Sequence, residues 1–157
     1  MQRIPMTAQG FSRLEEELKN LKTIERPAVI KAIASARELG DLSENAEYHA
    51  ARDRQGFIEG RITELEAKLS LAEVIDVAKL NGDTIRFGAH VKLIDEDTEE
   101  ESTYQIVGVD ESDIKEGRLS VSAPLARSLI GKKVGASVEV VTPGGSKIYE
   151  ILAVDFK

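Results

Sequence analysis

Apolar residues at Phe11, Leu14, Leu18 and Leu21 follow one another at spacings of three, four and three. That is the seam of a helix packing along a partner helix. Thr7 is placed as its N-cap, with Met6 and Phe11 as the two halves of a hydrophobic staple. Pro27 falls inside the helical stretch and predicts a kink or restart near Thr23–Pro27, because it has no N–H and crowds the preceding turn. The pattern resumes at Ile30, Ile33 and Ala36 and ends at Leu39-Gly40, with Gly40 as the C′ residue. A second helix starts near Ser43–Asn45. Its seam is Tyr48, Ala51, Gln55, Ile58, Ile62, Leu65 and Leu69, an unbroken alternation of three and four. The five residues Gly40-Asp41-Leu42-Ser43-Glu44 between the two force an antiparallel hairpin. Its arms, at 1.5 Å per residue, are roughly 40 Å long.

From Glu73 the period changes to two. Val74–Val77, Ala89–Ile94 and Thr103–Val109 read as half-buried strands. Asn81-Gly82-Asp83 is a turn, and Asp95–Glu101 is an acidic loop between two strands. Pro124–Gly131 is a short amphipathic helix with Pro at its start and Gly at its end. Val138–Val141 and Lys147–Val154 flank Thr142-Pro143-Gly144-Gly145-Ser146, a hairpin signal. The fold class is therefore α+β: an N-terminal antiparallel coiled-coil hairpin, residues 1–75, then a small antiparallel-sheet domain with one covering helix, residues 76–157. No Gly/Ser-rich tether separates the two.

Composition narrows the chemistry. The 157 residues include no cysteine, which excludes disulfides, thiolate catalysis and Cys-based zinc sites. The two histidines, His49 and His90, are too few and too separated for a His-rich metal site. Net charge is −7, and both halves are acidic on balance, which argues against phosphate-driven binding by a basic domain but not against a local basic patch. No apolar run reaches the ~20 residues of a membrane span, and Met1–Pro5 lacks a signal-peptide core. A soluble, cytoplasmic protein is expected.

The residues that can carry chemistry lie at the hairpin turn. Asp41 and Glu44, with Glu47 one step further, place carboxylates at the end of a stiff arm. A solubilising tip with helix-capping acids accounts for them, and so does a pair of Mg²⁺ ligands. An exposed turn supplies no third ligand, so the tip alone makes a poor metal enzyme; it makes more sense inserted into another protein's active site. Arg37, Arg52 and Arg54 flank the turn, either as a solvated face or as a patch for a nucleic-acid strand. Tyr48 and His49 either stack on a base or fill the seam, and the heptad register favours the seam for Tyr48. Gly144-Gly145 is a turn and not a phosphate loop, since no Lys-Ser/Thr helix follows.

The stretch from Gly40 to Arg52, GDLSENAEYHAAR, resembles the tip motif of the bacterial Gre transcript-cleavage factors. Met6–Gly10 with Leu14, Glu17 and Leu18, Ser120–Lys132, and Thr142-Pro143-Gly144-Gly145 resemble other parts of the same family, in the same order. The A-type branch is the nearer one. Ala136 departs from the pattern, standing where the family usually has an acid. The resemblance implies an FKBP-like second domain that docks at the rim of the RNA polymerase secondary channel, and a coiled coil that enters the channel. It implies that Asp41 helps hold the second Mg²⁺ of the polymerase site and that Glu44 positions or deprotonates the attacking water. Arg37 and Arg52 match the family's basic patch for the displaced RNA 3′ segment of backtracked complexes; Arg54 is added by proximity alone. The expected protein is a monomeric catalytic accessory with no tightly bound cofactor and no membrane partner, rather than an enzyme in itself. Two other readings stand beside it: a channel binder of the same fold that inhibits without cleavage, and a prolyl isomerase carried on the second domain.

Overall fold

The computed structural model describes residues 2–156; Met1 and Lys157, the outer limits of the two expected domains, lie outside the described residues. The chain divides into two compact units. One is Phe11–Ala72; the other joins Arg3–Gly10 to the chain from Glu73 onward. The break therefore falls three residues before the sequence boundary, and the N-terminal strand groups with the second unit.

The chain enters through β1 (Ile4–Thr7) and α1 (Ala8–Asn20). Thr7 caps α1, its Oγ1 accepting the Gly10 N–H at 3.0 Å. The helix then takes one π-helical turn over Leu21–Glu25 and continues as α2 (Arg26–Arg37). The Arg26 N–H bonds to the Leu21 carbonyl, five residues back. Pro27, next in line, has no N–H to give, and the wider turn makes room for its ring. The expected interruption is thus a π turn, after which the helix runs on.

That turn also moves the seam. Leu14 and Leu21 are buried, and beyond the π turn the buried residues are Val29, Ile33 and Ala36. Ile30, expected in the seam, is exposed, because Val29 and not Ile30 sits four residues before Ile33. On the returning arm, α3 (Ala46–Ser70), Ala51, Ile58, Ile62 and Leu65 are buried as the register predicts.

Charged pairs cross the seam on its flanks. Arg26 grips Glu59 with two bonds of 2.8 Å, and Arg61 grips Glu17 with bonds of 2.7 and 2.9 Å. Lys22 and Glu66 lie 3.6 Å apart, and Arg54 pairs with Glu25. These solvated pairs add little stability each, but forked arginine–carboxylate geometry fixes which residues face one another.

In the second unit β1 pairs with β2 (Ala72–Ile75). The chain leaves this strand earlier than expected, turning at Val77–Lys79. The main sheet comprises β3 (His90–Asp95), β4 (Glu101–Val107), β5 (Arg118–Ser120), β6 (Ser137–Thr142) and β7 (Gly145–Asp155). Its order is β5-β4-β3-β7-β6. All neighbours are antiparallel except β5, which runs parallel to β4 through Gln105↔Arg118, Ile106↔Leu119 and Val107↔Ser120. This edge strand is absent from the sequence expectation. Helix α4 (Pro124–Leu129) covers one face, and its Ala126 and Leu129 join Val91, Leu93, Ile106, Val140 and Ile151 in the core. The acidic stretch after β3 is a hairpin loop ordered by Asp95, whose carboxylate accepts the N–H groups of Asp97 and Thr98. The β6–β7 turn closes on Thr142↔Gly145, where Gly145 adopts φ +117°.

Glu111 and Asp95 are buried acids of this unit. Glu111 ties the unit's N-terminal strand to the chain beyond β4. Its carboxylate accepts the Thr7 N–H at 3.0 Å, the Thr7 hydroxyl, and the Gly108 N–H at 2.9 Å. Gly10 and Gly108 leave the space it occupies: a Cβ on Gly10 would run into the carboxylate, and one on Gly108 into the Pro5 carbonyl.

Candidate functional site

The far end of the hairpin is built by short-range hydrogen bonding. Helix α2 stops at Glu38, and Gly40 turns the chain at φ +123°. Asp41 then caps a single 3₁₀ turn over Leu42–Glu44. Its Oδ1 accepts the Ser43 N–H at 2.9 Å and the Ser43 hydroxyl at 2.8 Å. These two donors hold the Asp41 carboxyl below the usual carboxylate range, the backbone bond contributing most. Oδ2 has no partner among the described residues.

Asn45 closes the turn. Its Oδ1 accepts the Tyr48 N–H at 3.0 Å and caps α3, while its amide donates to the Ala36 carbonyl of α2 at 2.6 Å. The turn is thereby stapled to both arms. Asp41, Glu44 and Glu47, together with Leu39, Asn45 and Ala46, line one shallow recess of about 390 Å³. The two candidate acids therefore share an open surface, and neither faces the seam. The Glu44 side chain is exposed and makes no hydrogen bond or ion pair among the described residues; its backbone N–H bonds to the Asp41 carbonyl. No group of three His, Asp or Glu side chains among the described residues is arranged to hold a metal ion.

The arginines separate. The Arg37 guanidinium lies 6.0 Å from the centroid of the Tyr48 ring, and Arg52 reaches the Tyr48 hydroxyl at 3.4 Å. Tyr48 thus stands between an arginine of α2 and an arginine of α3. It is half-buried and meets His49 edge-on at 5.7 Å. Arg54 joins neither; it pairs with Glu25 on the π turn. Ser43 and Asn45, which the sequence placed only at the start of a helix, prove to order the tip. The signal was present: Asp-x-Ser and Asn-x-x-Tyr are spacings at which a short polar side chain reaches a backbone N–H two or three residues on.

Two family descriptions cover the chain. "Transcription elongation factor, N-terminal" matches residues 4–74, and "Transcription elongation factor, GreA/GreB, C-term" matches residues 80–156. The chain belongs to the GreA/GreB family of transcription elongation factors.

Among its relatives, the transcription elongation factors GreA of Caulobacter sp. (strain K31) and of Rhodospirillum rubrum are each 65% identical over 156 residues, covering 99% of this chain and 99% of their own. A solved structure, GreA factor homolog 1 of Thermus thermophilus, aligns at 25% identity and TM-score 0.45, covering 98% of this chain and 99% of its own. No helix of this GreA/GreB family member is long and apolar enough to cross a membrane among its described residues. In its second unit a recess of about 400 Å³ beside α4 is lined by Arg127, Ser128, Ile130, Lys132, Ser137, Val138 and Glu139, with no aromatic side chain.

Proposed function

We propose that this chain stimulates the endonucleolytic cleavage of backtracked RNA by RNA polymerase, its coiled coil entering the secondary channel and its second domain docking at the rim. The observation that carries the reading is the state of Asp41: an ionised carboxylate, fixed by Ser43, at the outermost turn of a stapled and ion-paired hairpin, with Glu44 beside it. Relatives named transcription elongation factor GreA at 65% identity over nearly the whole chain support the same role.

The donor set fits Mg²⁺. The unengaged Oδ2 of Asp41 and the Glu44 carboxylate are hard oxygen ligands, and Mg²⁺ is commonly held by one or two carboxylates with other ligands supplied from elsewhere. Two carboxylates do not close a site, which suits an ion brought by the polymerase. When bound, such an ion would supply Lewis acidity to the phosphodiester and a more acidic water. Asp41 contributes a ligand already in place and already charged. Glu44, longer and free of partners, orients the attacking water and takes its proton on a carboxylate oxygen. Arg37 and Arg52 hold the displaced 3′ segment by its phosphates. The protein acts as a catalytic accessory, with the reaction centre assembled only in the complex.

The test uses backtracked elongation complexes carrying labelled RNA. Wild-type protein releases short 3′ fragments, and Asp41→Asn lowers that rate by on the order of 100-fold while still competing for polymerase. Blocked extension without fragments would instead establish an inhibitor. The prolyl isomerase reading gains no support from the polar recess beside α4.

A further inference from the structure

The two tip acids are not equally ordered, and the difference traces to one neighbour. Both hydrogen bonds to the Asp41 carboxylate arrive from Ser43, and both end on Oδ1. A carboxylate pinned through one oxygen has a fixed plane, and the other oxygen is committed to one direction. Glu44, on the same 3₁₀ turn, has no such anchor among the described residues. The Ser43 N–H would be supplied by any residue other than Pro. The hydroxyl is particular to this side chain.

We infer that Ser43 is a positioning residue for RNA cleavage, its hydroxyl holding the Asp41 carboxylate in the orientation that offers Oδ2 to a divalent cation bound mainly by the polymerase. The inference rests on the function proposed above. Its physical content is orientation and not charge. An exposed aspartate is ionised at neutral pH with or without a hydroxyl donor. A donor on Oδ1 also draws electron density from the carboxylate, which by itself weakens Oδ2 as a ligand. The advantage lies in preorganisation: without the hydroxyl, Asp41 keeps only the Ser43 N–H on Oδ1, samples more orientations about that single bond, and the cation must select among them. A weakly held cation shows that selection as a higher concentration requirement.

The experiment titrates Mg²⁺ in the backtracked-complex assay with wild type, Ser43→Ala and Ser43→Thr, and measures each protein's competition for polymerase. Ser43→Ala is expected to raise the Mg²⁺ concentration for half-maximal cleavage by about threefold to tenfold. Its rate at saturating Mg²⁺ and its polymerase affinity stay near wild type, and Ser43→Thr, which keeps the hydroxyl, restores the Mg²⁺ requirement. An unchanged requirement in Ser43→Ala overturns the inference. So does a loss of rate that Mg²⁺ does not recover and that matches a loss of polymerase affinity, since that describes a damaged tip. A second measurement needs no polymerase: three-bond NMR couplings that report the Asp41 side-chain rotamers in the free full-length protein. Removing the hydroxyl is expected to spread Asp41 over more rotamers, and an unchanged distribution overturns the inference at its root. If the rotamers spread but wild-type protein drives no cleavage at any Mg²⁺ concentration, the proposed function fails, and the role of Ser43 in cleavage falls with it.

Discussion

The side-chain amide of Asn45 donates across the hairpin to the main-chain carbonyl of Ala36 at 2.6 Å. Through its other end the same side chain caps α3 at the Tyr48 N–H. Helix ends leave carbonyls unsatisfied on one side and N–H groups on the other. The Leu39 N–H already reaches the Ala36 carbonyl, and Asn45 adds a second donor to it while capping α3, so the C-terminal end of α2 and the N-terminal end of α3 are fixed to each other. The Asp41–Glu44 turn is held between those two ends.

Replacing Asn45 separates the two contributions. Asn45→Ala removes cap and staple together and is expected to cost about 2 kcal/mol of stability. Asn45→Asp keeps a capping oxygen but has no amide to give Ala36, so it is expected to fall between Ala and wild type. Urea unfolding of the full chain reads both. An aspartate variant as stable as wild type would show that the bond to Ala36 contributes nothing.

Much of this hairpin was legible in the sequence because its causes are local. Ile58, Ile62 and Leu65 repeat at seam spacing, and Pro143-Gly144 sits between alternating strands; both elements appear where the pattern puts them. The errors begin where a partner is distant or the helix changes pitch. Ile30 falls outside the seam because the π turn over Leu21–Glu25 is not encoded in hydrophobic spacing, although Pro27 marks the place. Strand β5 is three residues long, and only its pairing with β4 makes it a strand. Glu111 finds Thr7 at a separation of 104 residues, and a lone acid among acids gives no sign of that. Only half a capping box is formed locally, the Gly108 N–H to Glu111 bond, because glycine has no side chain to accept in return. At the tip, the acids were identifiable by position, but the bonds that order Asp41 follow from the conformation of the 3₁₀ turn. The pairing of Arg54 with Glu25 depends on the alignment of the two arms.

That alignment is expected to weaken in acid. Hydrogen bonding from Arg61 holds the Glu17 carboxyl below its ordinary value of 4.5, and Arg26 does the same for Glu59. A carboxyl depressed in the folded protein binds protons more readily in the unfolded chain. Its contribution is therefore complete above about pH 4.5 and disappears as pH falls through the lower folded value. Stability should be nearly flat from pH 8 to 5 and decline below about 4.5. Arg61→Gln removes part of that decline. The Glu17 pair is partly solvated, so its coupling in a double-mutant cycle is expected to be about 0.5 kcal/mol at pH 7 and to shrink as the carboxyl takes up its proton in acid. Identical urea midpoints against pH for wild type and Arg61→Gln would show that the pair does not sense protonation.

The arginines near the tip are expected to differ in what they do to RNA. Arg37 and Arg52 meet at Tyr48 and carry no carboxylate partner among the described residues, whereas the charge of Arg54 is already matched by Glu25. Phosphate binding by a free cation releases counterions from the strand, and each contact to single-stranded nucleic acid contributes about 0.7 to the slope of log affinity against log salt. Arg37→Ala and Arg52→Ala should each reduce crosslinking of the factor to the displaced RNA 3′ segment and lower that slope by about 0.7. The deficit is largest at low salt and narrows as salt rises, because the variant has one fewer contact to lose. Arg54→Ala should leave slope and crosslinking near wild type. Tyr48→Phe keeps the ring face for Arg37 but removes the hydroxyl that Arg52 reaches, and is expected to fall between wild type and Arg52→Ala. Crosslinking measured from 50 to 200 mM salt decides the matter: a slope lowered as much by Arg54→Ala as by Arg52→Ala would place all three arginines in one undivided patch.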